Sequence, residues 1–193
     1  MRISARADYA LRAAVELAAA GGGPVKLEQL ASSQDLPPKF LETILGELRR
    51  AGLLRTQRGA DGGYWLARPA SAITLADVIR VADGPLADVR GVRPESVAYA
   101  GHAAALAEVW VAVRAAVRAV LEQVTLADVA EGRLPDVVAD LTRDEDAWVP
   151  HSMAGGGQAP LPTSPRRGRR RGRLGTARPS RPSAAIGRRR SWR

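Results

Sequence analysis

The 193-residue chain has no cysteine, which excludes disulfides, thiolate nucleophiles and cysteine-held metal clusters and suits a reducing cytoplasm. Its net charge of +9 is unevenly spread: +3 over residues 1–68, −6 over residues 69–150, and 12 Arg with no acid over residues 151–193. The average charge therefore describes a tail, and any case for nucleic-acid binding must rest on local geometry in the first third.

The apolar fraction is 46%, but it leans on Ala and Val, and aromatic residues make up only 4%. A core built this way is helical and thin, so burial against a partner subunit would help it. No signal peptide is expected, because Met1-Arg2-Ile3-Ser4 runs straight into an amphipathic pattern. No apolar run approaches the roughly 20 residues of a membrane span. The expected location is the cytoplasm.

Ser4 is a candidate N-cap for a helix to about Ala20, with Ala7, Ala10, Leu11, Ala14, Leu17 and Ala18 on one face. Arg2, Arg6 and Arg12 lie elsewhere on it. They read equally as solvated surface and as phosphate contacts that position a domain on a duplex. Gly21-Gly22-Gly23-Pro24 ends this helix. Lys26 to Ser33 reads as a short helix, with Leu27, Leu30 and Ala31 inward.

A turn through Pro37-Pro38 leads to the stretch that organises the chain. Leu41, Ile44, Leu45 and Leu48 recur at helical spacing; Lys39, Glu42, Thr43 and Arg49 fall on the opposite face. Pro38 suits a first helical turn and Gly52 a left-handed stop. Leu53 to Thr56 and Tyr64 to Leu66 then flank Arg58-Gly59-Ala60-Asp61-Gly62-Gly63, a hairpin whose tip lacks Cβ atoms at three of six positions. Such a backbone can lie close to another surface. Two short helices followed by a basic hairpin form a winged helix–turn–helix, whose second helix enters a major groove. The DNA-facing candidates are Arg2, Arg12, Lys39, Phe40, Glu42, Thr43, Arg49, Arg50, Arg58, Gly59, Gly62, Gly63 and Tyr64.

Thr74, with Asp77 three residues on, predicts a capped helix that stops at Gly84-Pro85. Residues 85–101 read as an irregular linker or an effector loop. His102 to Val124 carries Leu106, Val109, Trp110, Val113, Val117, Val120, Leu121 and Val124 at spacings of three and four. Nothing downstream is large enough to cover this seam, so a second copy of the chain is the expected partner. Thr125 to Val129 is a capped turn, and Leu134 to Leu141 a short helix. Asp144-Glu145-Asp146 reads as a solvated run, and Trp148 as the last core residue. Residues 151–193, rich in Arg, Pro, Gly and Ser, cannot bury enough to order themselves. They read either as a nucleic-acid arm or as the bias of a GC-rich coding region.

The expected fold is mainly α with a small β-hairpin wing. Residues 1–84 form a winged helix–turn–helix, 85–101 a linker, 102–150 a dimerisation helix with short helices after it, and 151–193 a disordered tail. Clustered histidines and a Ser-His-Asp set are both lacking, so no enzyme is expected. The function classes are a sequence-specific DNA-binding regulator, a winged-helix module that binds protein, and a non-specific nucleic-acid binder acting through its tail.

On these blocks the chain resembles the Rrf-two family of bacterial winged-helix regulators. The resembling residues are Met1 to Ser4 with Asp8 to Arg12, Phe40-Leu41-Glu42, Leu48 to Leu53, Arg58 to Tyr64 with Leu66, Ile73-Thr74-Leu75 with Val78-Ile79, and Thr125 to Val129. The resemblance implies a homodimeric transcription factor, usually a repressor, on palindromic double-stranded DNA. Sensing members carry three cysteines in the linker before the dimer helix; here that linker has none. Asp8 sits where some members supply a cluster ligand, but a carboxylate alone cannot hold an iron–sulphur cluster. The only histidines are His102 and His151. No cofactor is expected, and an effector, small molecule or protein, is left open.

Overall fold

The computed structural model describes residues 3–150; Arg2, His151 and the Arg-rich tail lie outside the described residues. Among the described residues, seven α-helices and one two-stranded sheet follow in order: α1 (Ala5–Ala19), α2 (Leu27–Ser33), α3 (Pro38–Arg50), β1 (Leu54–Gln57), β2 (Gly63–Leu66), α4 (Leu75–Asp83), α5 (Leu106–Leu121), α6 (Leu126–Glu131) and α7 (Asp136–Thr142).

Local chemistry sets most of these ends. The Ser4 hydroxyl accepts from the Ala7 amide at 3.0 Å and opens α1. Thr74 and Asp77 exchange reciprocal bonds at the start of α4, and Thr125 and Asp128 do the same for α6. Pro38 occupies the first turn of α3, and Gly52 follows its end at φ +76°. β1 and β2 pair antiparallel from Leu54↔Leu66 to Gln57↔Gly63.

The main core is a cluster in which Leu17, Leu30, Leu41, Leu45, Leu48, Ile73 and Leu126 are essentially sealed from solvent. Leu126 was not expected there. After α5 the chain returns to the head: the Leu75 amide donates to the Val124 carbonyl and the Leu126 amide to the Ile73 carbonyl, both at 2.9 Å. Thr74 and Thr125 form an isolated antiparallel bridge, which sets the two capping boxes side by side. α6 thus packs on α1 as part of the same core.

Two expectations are corrected. Trp148 is not a core residue: it is 74% exposed, and its indole N–H donates to the Thr142 carbonyl. The long helix is shorter than the expected span of residues 102–124: it runs Leu106–Leu121, and Val124 lies beyond its end. A 3-10 turn at Gly101–Ala103 precedes it, and its N-cap Ala105 has no side chain to cap with, so regular α structure starts only at Leu106.

The α6 capping box gives a pH prediction. The Thr125 hydroxyl and then the Thr125 amide hold the Asp128 carboxyl below its ordinary range. A lowered folded-state pKa contributes stability that is present above the ordinary aspartate range and is lost as pH falls through the lower folded value. Asp128→Asn is therefore expected to flatten the acid limb of a pH-dependent urea-melt series. An acid limb as steep as that of the parent would remove this cap from the account.

Candidate nucleic-acid interface

α3 divides cleanly. Leu41, Ile44, Leu45 and Leu48 are at most 2% exposed, while Lys39, Phe40, Glu42, Thr43, Arg49 and Arg50 all face solvent. Burying four large aliphatic side chains is worth roughly 1.5–3 kcal/mol each, which holds the rotation of the helix and so presents the polar face outward. Arg6 of α1 pairs with Glu47, tying the first helix to α3. The Lys39 side chain forms no ion pair among the described residues, and the Thr43 hydroxyl turns back to the Lys39 carbonyl at 3.4 Å. Arg50 lies over the Gly46 carbonyl at 3.3 Å in the last turn.

The wing leaves directly from the end of α3. Arg58, Gly59, Ala60 and Asp61 are exposed, and Gly59 has φ +108°. The other two wing glycines serve the protein itself. A Cβ at Gly63 would stand 2.6 Å from the Val25 carbonyl oxygen, and one at Gly62 would collide with the Gln57 carbonyl. Tyr64 and Val25 exchange backbone hydrogen bonds at 2.9 Å, so the segment before α2 lies along β2 beside the wing loop. Only Gly59 keeps open space around it. The close approach anticipated for the glycine-rich tip is, at Gly62 and Gly63, an approach to the chain's own backbone.

Arg12 is also turned to the protein. Its guanidinium donates to the Gln34 side-chain oxygen at 3.0 Å and to the Gln34 carbonyl, and Asp8 lies 3.5 Å away. It also sits 5.8 Å from the Tyr9 ring, which in turn meets Phe40 edge-on. Arg12 therefore braces the turn before α3. Arg55, exposed on β1, is a cation near the wing that the sequence pattern did not single out.

The expected partner seam on α5 splits in two. No residue of α5 is buried, and Leu106, Val109 and Val113 are 39%, 48% and 40% exposed. The rest turns inward. Val117 and Leu121 pack against Ala7, Ala76, Ile79 and Leu86 of the same subunit. Trp110 donates its indole N–H to the Tyr99 hydroxyl at 3.0 Å. Val124 is 2% exposed within the head core. Val120 is half-buried. The continuous apolar ridge of the sequence thus serves two surfaces.

Comparison with known proteins agrees with this architecture. Residues 3–132 match the model of the Rrf2 family, described as iron-dependent transcriptional regulators. Rv1287 of Mycobacterium tuberculosis, which bears the name of an HTH-type transcriptional regulator, is 53% identical over 145 residues, covering 75% of this chain and 90% of that protein. The HTH-type transcriptional regulator CymR of Bacillus subtilis is 39% identical over 131 residues, covering 67% and 90%. Among solved structures, that of B. subtilis CymR, titled the global cysteine regulator, superposes with a TM-score of 0.60 at 38% identity over 68% of this chain and 98% of that one. IscR of T. potens superposes with 0.57 at 31% identity over 79% and 94%.

The iron of the family description does not fit the donors of this chain. Iron–sulphur clusters are held by thiolates, in part replaced by imidazoles. The chain has no cysteine and two histidines, and among the described residues no three carboxylate or imidazole groups converge as a metal site. With an outward-facing helix beside a basic wing, a family model that matches residues 3–132, and regulators aligned over nine tenths or more of their own length, the chain belongs to the Rrf2 family and is a DNA-binding transcriptional regulator.

Proposed function

We propose that the protein represses transcription as a homodimer on a palindromic operator and does so without an iron–sulphur cluster. The observation that carries this reading is the division of α3: an apolar face sealed into the head and a polar face left to solvent, directly before a basic hairpin. Two heads joined through the exposed side of α5 place two copies of α3 in successive major grooves, about 34–36 Å apart. Repression follows from occupying promoter DNA; the site performs no chemistry. Such a regulator works in the cytoplasm.

Lys39, Glu42 and Thr43 lie in the first half of α3, where base edges are met. Glu42 accepts from a cytosine amino group, and Lys39 reaches guanine or phosphate. Phe40 offers an apolar contact beside them. Arg49 and Arg50, in the last turn, meet phosphate. Arg58 and the Gly59 backbone approach the minor groove or its sugar–phosphate edge. Gly62, Gly63 and Tyr64 contribute by shaping the wing.

A titration of purified protein on a palindromic fragment from its own promoter tests this. Glu42→Ala is expected to relax preference at one base pair, by roughly 1–3 kcal/mol of discrimination. Arg58→Ala is expected to weaken every site by a similar factor and to lower the salt slope by about 1. An Arg58 variant of unchanged affinity would take the wing out of the interface.

A further inference from the structure

Residues 69–150 carry a net charge of −6 and only seven basic side chains. Four of these, Arg80, Arg93, Arg114 and Arg118, line one open cavity of about 500 Å³. They come from three separate stretches: α4, the linker and α5. Pro85, Leu86 and Ala87 give the cavity an apolar wall.

Gathering four guanidinium groups costs Coulomb energy, and three carboxylates offset it: Asp77, 4.0 Å from Arg80, together with Glu95 and Glu122. Glu95 accepts from Arg114, while Glu122 accepts from Arg80 and, at 2.9 Å, from Arg118. Those pairs hold the forks in place without exhausting them, since each guanidinium has five N–H donors. The exposed Arg93 side chain makes no hydrogen bond or close ion pair among the described residues, and its charge acts on Glu95 at longer range. The cavity therefore has fixed cationic walls, spare donors and one wall carboxylate. Planar donor forks of this kind match phosphate and carboxylate oxygens two at a time.

We propose that this cavity binds a small polyanion, a molecule bearing phosphate or several carboxylates. Its walls join α4, which packs on α3, to α5, so an occupant ties the reading helix to the long helix. Binding to the cavity is independent of the operator reading, and its test uses no DNA.

The test is calorimetric titration of the full-length protein with inorganic pyrophosphate, at constant ionic strength set with chloride. Saturable one-site binding is expected. It should weaken at least tenfold in Arg93→Ala and further in Arg93→Ala/Arg118→Ala. Arg133→Ala/Arg143→Ala removes the same charge from exposed sites away from the cavity and should bind as the parent does. Arg93 is exposed and its side chain makes no hydrogen bond among the described residues, so Arg93→Ala is expected to keep the fold and decides the matter if the double variant does not fold. Citrate in place of pyrophosphate tells a carboxylate ligand from a phosphate one. Equal affinity in the parent and in Arg93→Ala, or equal weakening in the control pair, assigns binding to general charge and overturns the proposal. Absence of saturable binding by both anions does so as well.

Discussion

Leu126→Ala is expected to lower the unfolding free energy by roughly 2–5 kcal/mol, read as a reduced urea midpoint at unchanged slope. Leu126 is fully buried in one cluster with Leu17 and Ile73, and its amide is bonded to the Ile73 carbonyl. Truncation leaves a cavity against α1, a helix whose buried positions are otherwise mostly alanine and so relax little into the space. Small domains have only about 5–15 kcal/mol in all, so a loss of this size is a large share. A fragment ending at residue 84 should fare worse, because it lacks α6 altogether. A Leu126 variant within about 1 kcal/mol of the parent would show that α6 is peripheral to the head.

The double variant Val109→Asp/Val113→Asp is expected to separate the proposed homodimer and to lower operator affinity by about 10²–10⁴-fold, the advantage that linking two half-site contacts confers. Both valines are more than one-third exposed on a helix with no buried residue. Carboxylates there would have to be desolvated at a subunit interface without partners. Neither side chain is in the buried clusters of the head, and Val113 only edges a cavity that Ala7 and Ile79 line, so melting should move far less than operator affinity. Sedimentation velocity distinguishes the outcomes: a variant that still sediments as a dimer would place the subunit contact elsewhere. Val117→Asp is a different kind of change, since Val117 packs on Ile79 and Leu86 of its own chain, and instability would dominate.

Helix ends were legible wherever a single side chain decides them. Ser4, Thr74, Thr125, Pro38 and Gly52 all act within a few residues of where they sit, and spacing alone reveals such effects. The buried face of α3 was legible for the same reason. What periodicity does not carry is the identity of the surface an apolar residue meets. Val109 and Val117 belong to one sequence pattern, yet one faces solvent and the other the chain's own α1 and α4. Val124 and Leu126 find their partners about fifty residues earlier, at Leu75 and Ile73, a pairing with no local signature. Gly62 and Gly63 show the same gap. A missing Cβ is visible in the sequence, but the Gln57 and Val25 backbones that need its absence are not. Arg12 looks like any helical surface arginine until Gln34 is folded against it.

The bridge between Val25 and Tyr64 bears on how a duplex is chosen. It clamps β2, one residue pair from the loop, to the segment that opens α2, so the basic loop has little freedom to swing toward a backbone that lies too far away. In the proposed complex the nucleic acid must do the adjusting. Steps that narrow readily beneath Arg58 would then be favoured although no side chain touches their edges, and the preferred operator would be partly written in stiffness.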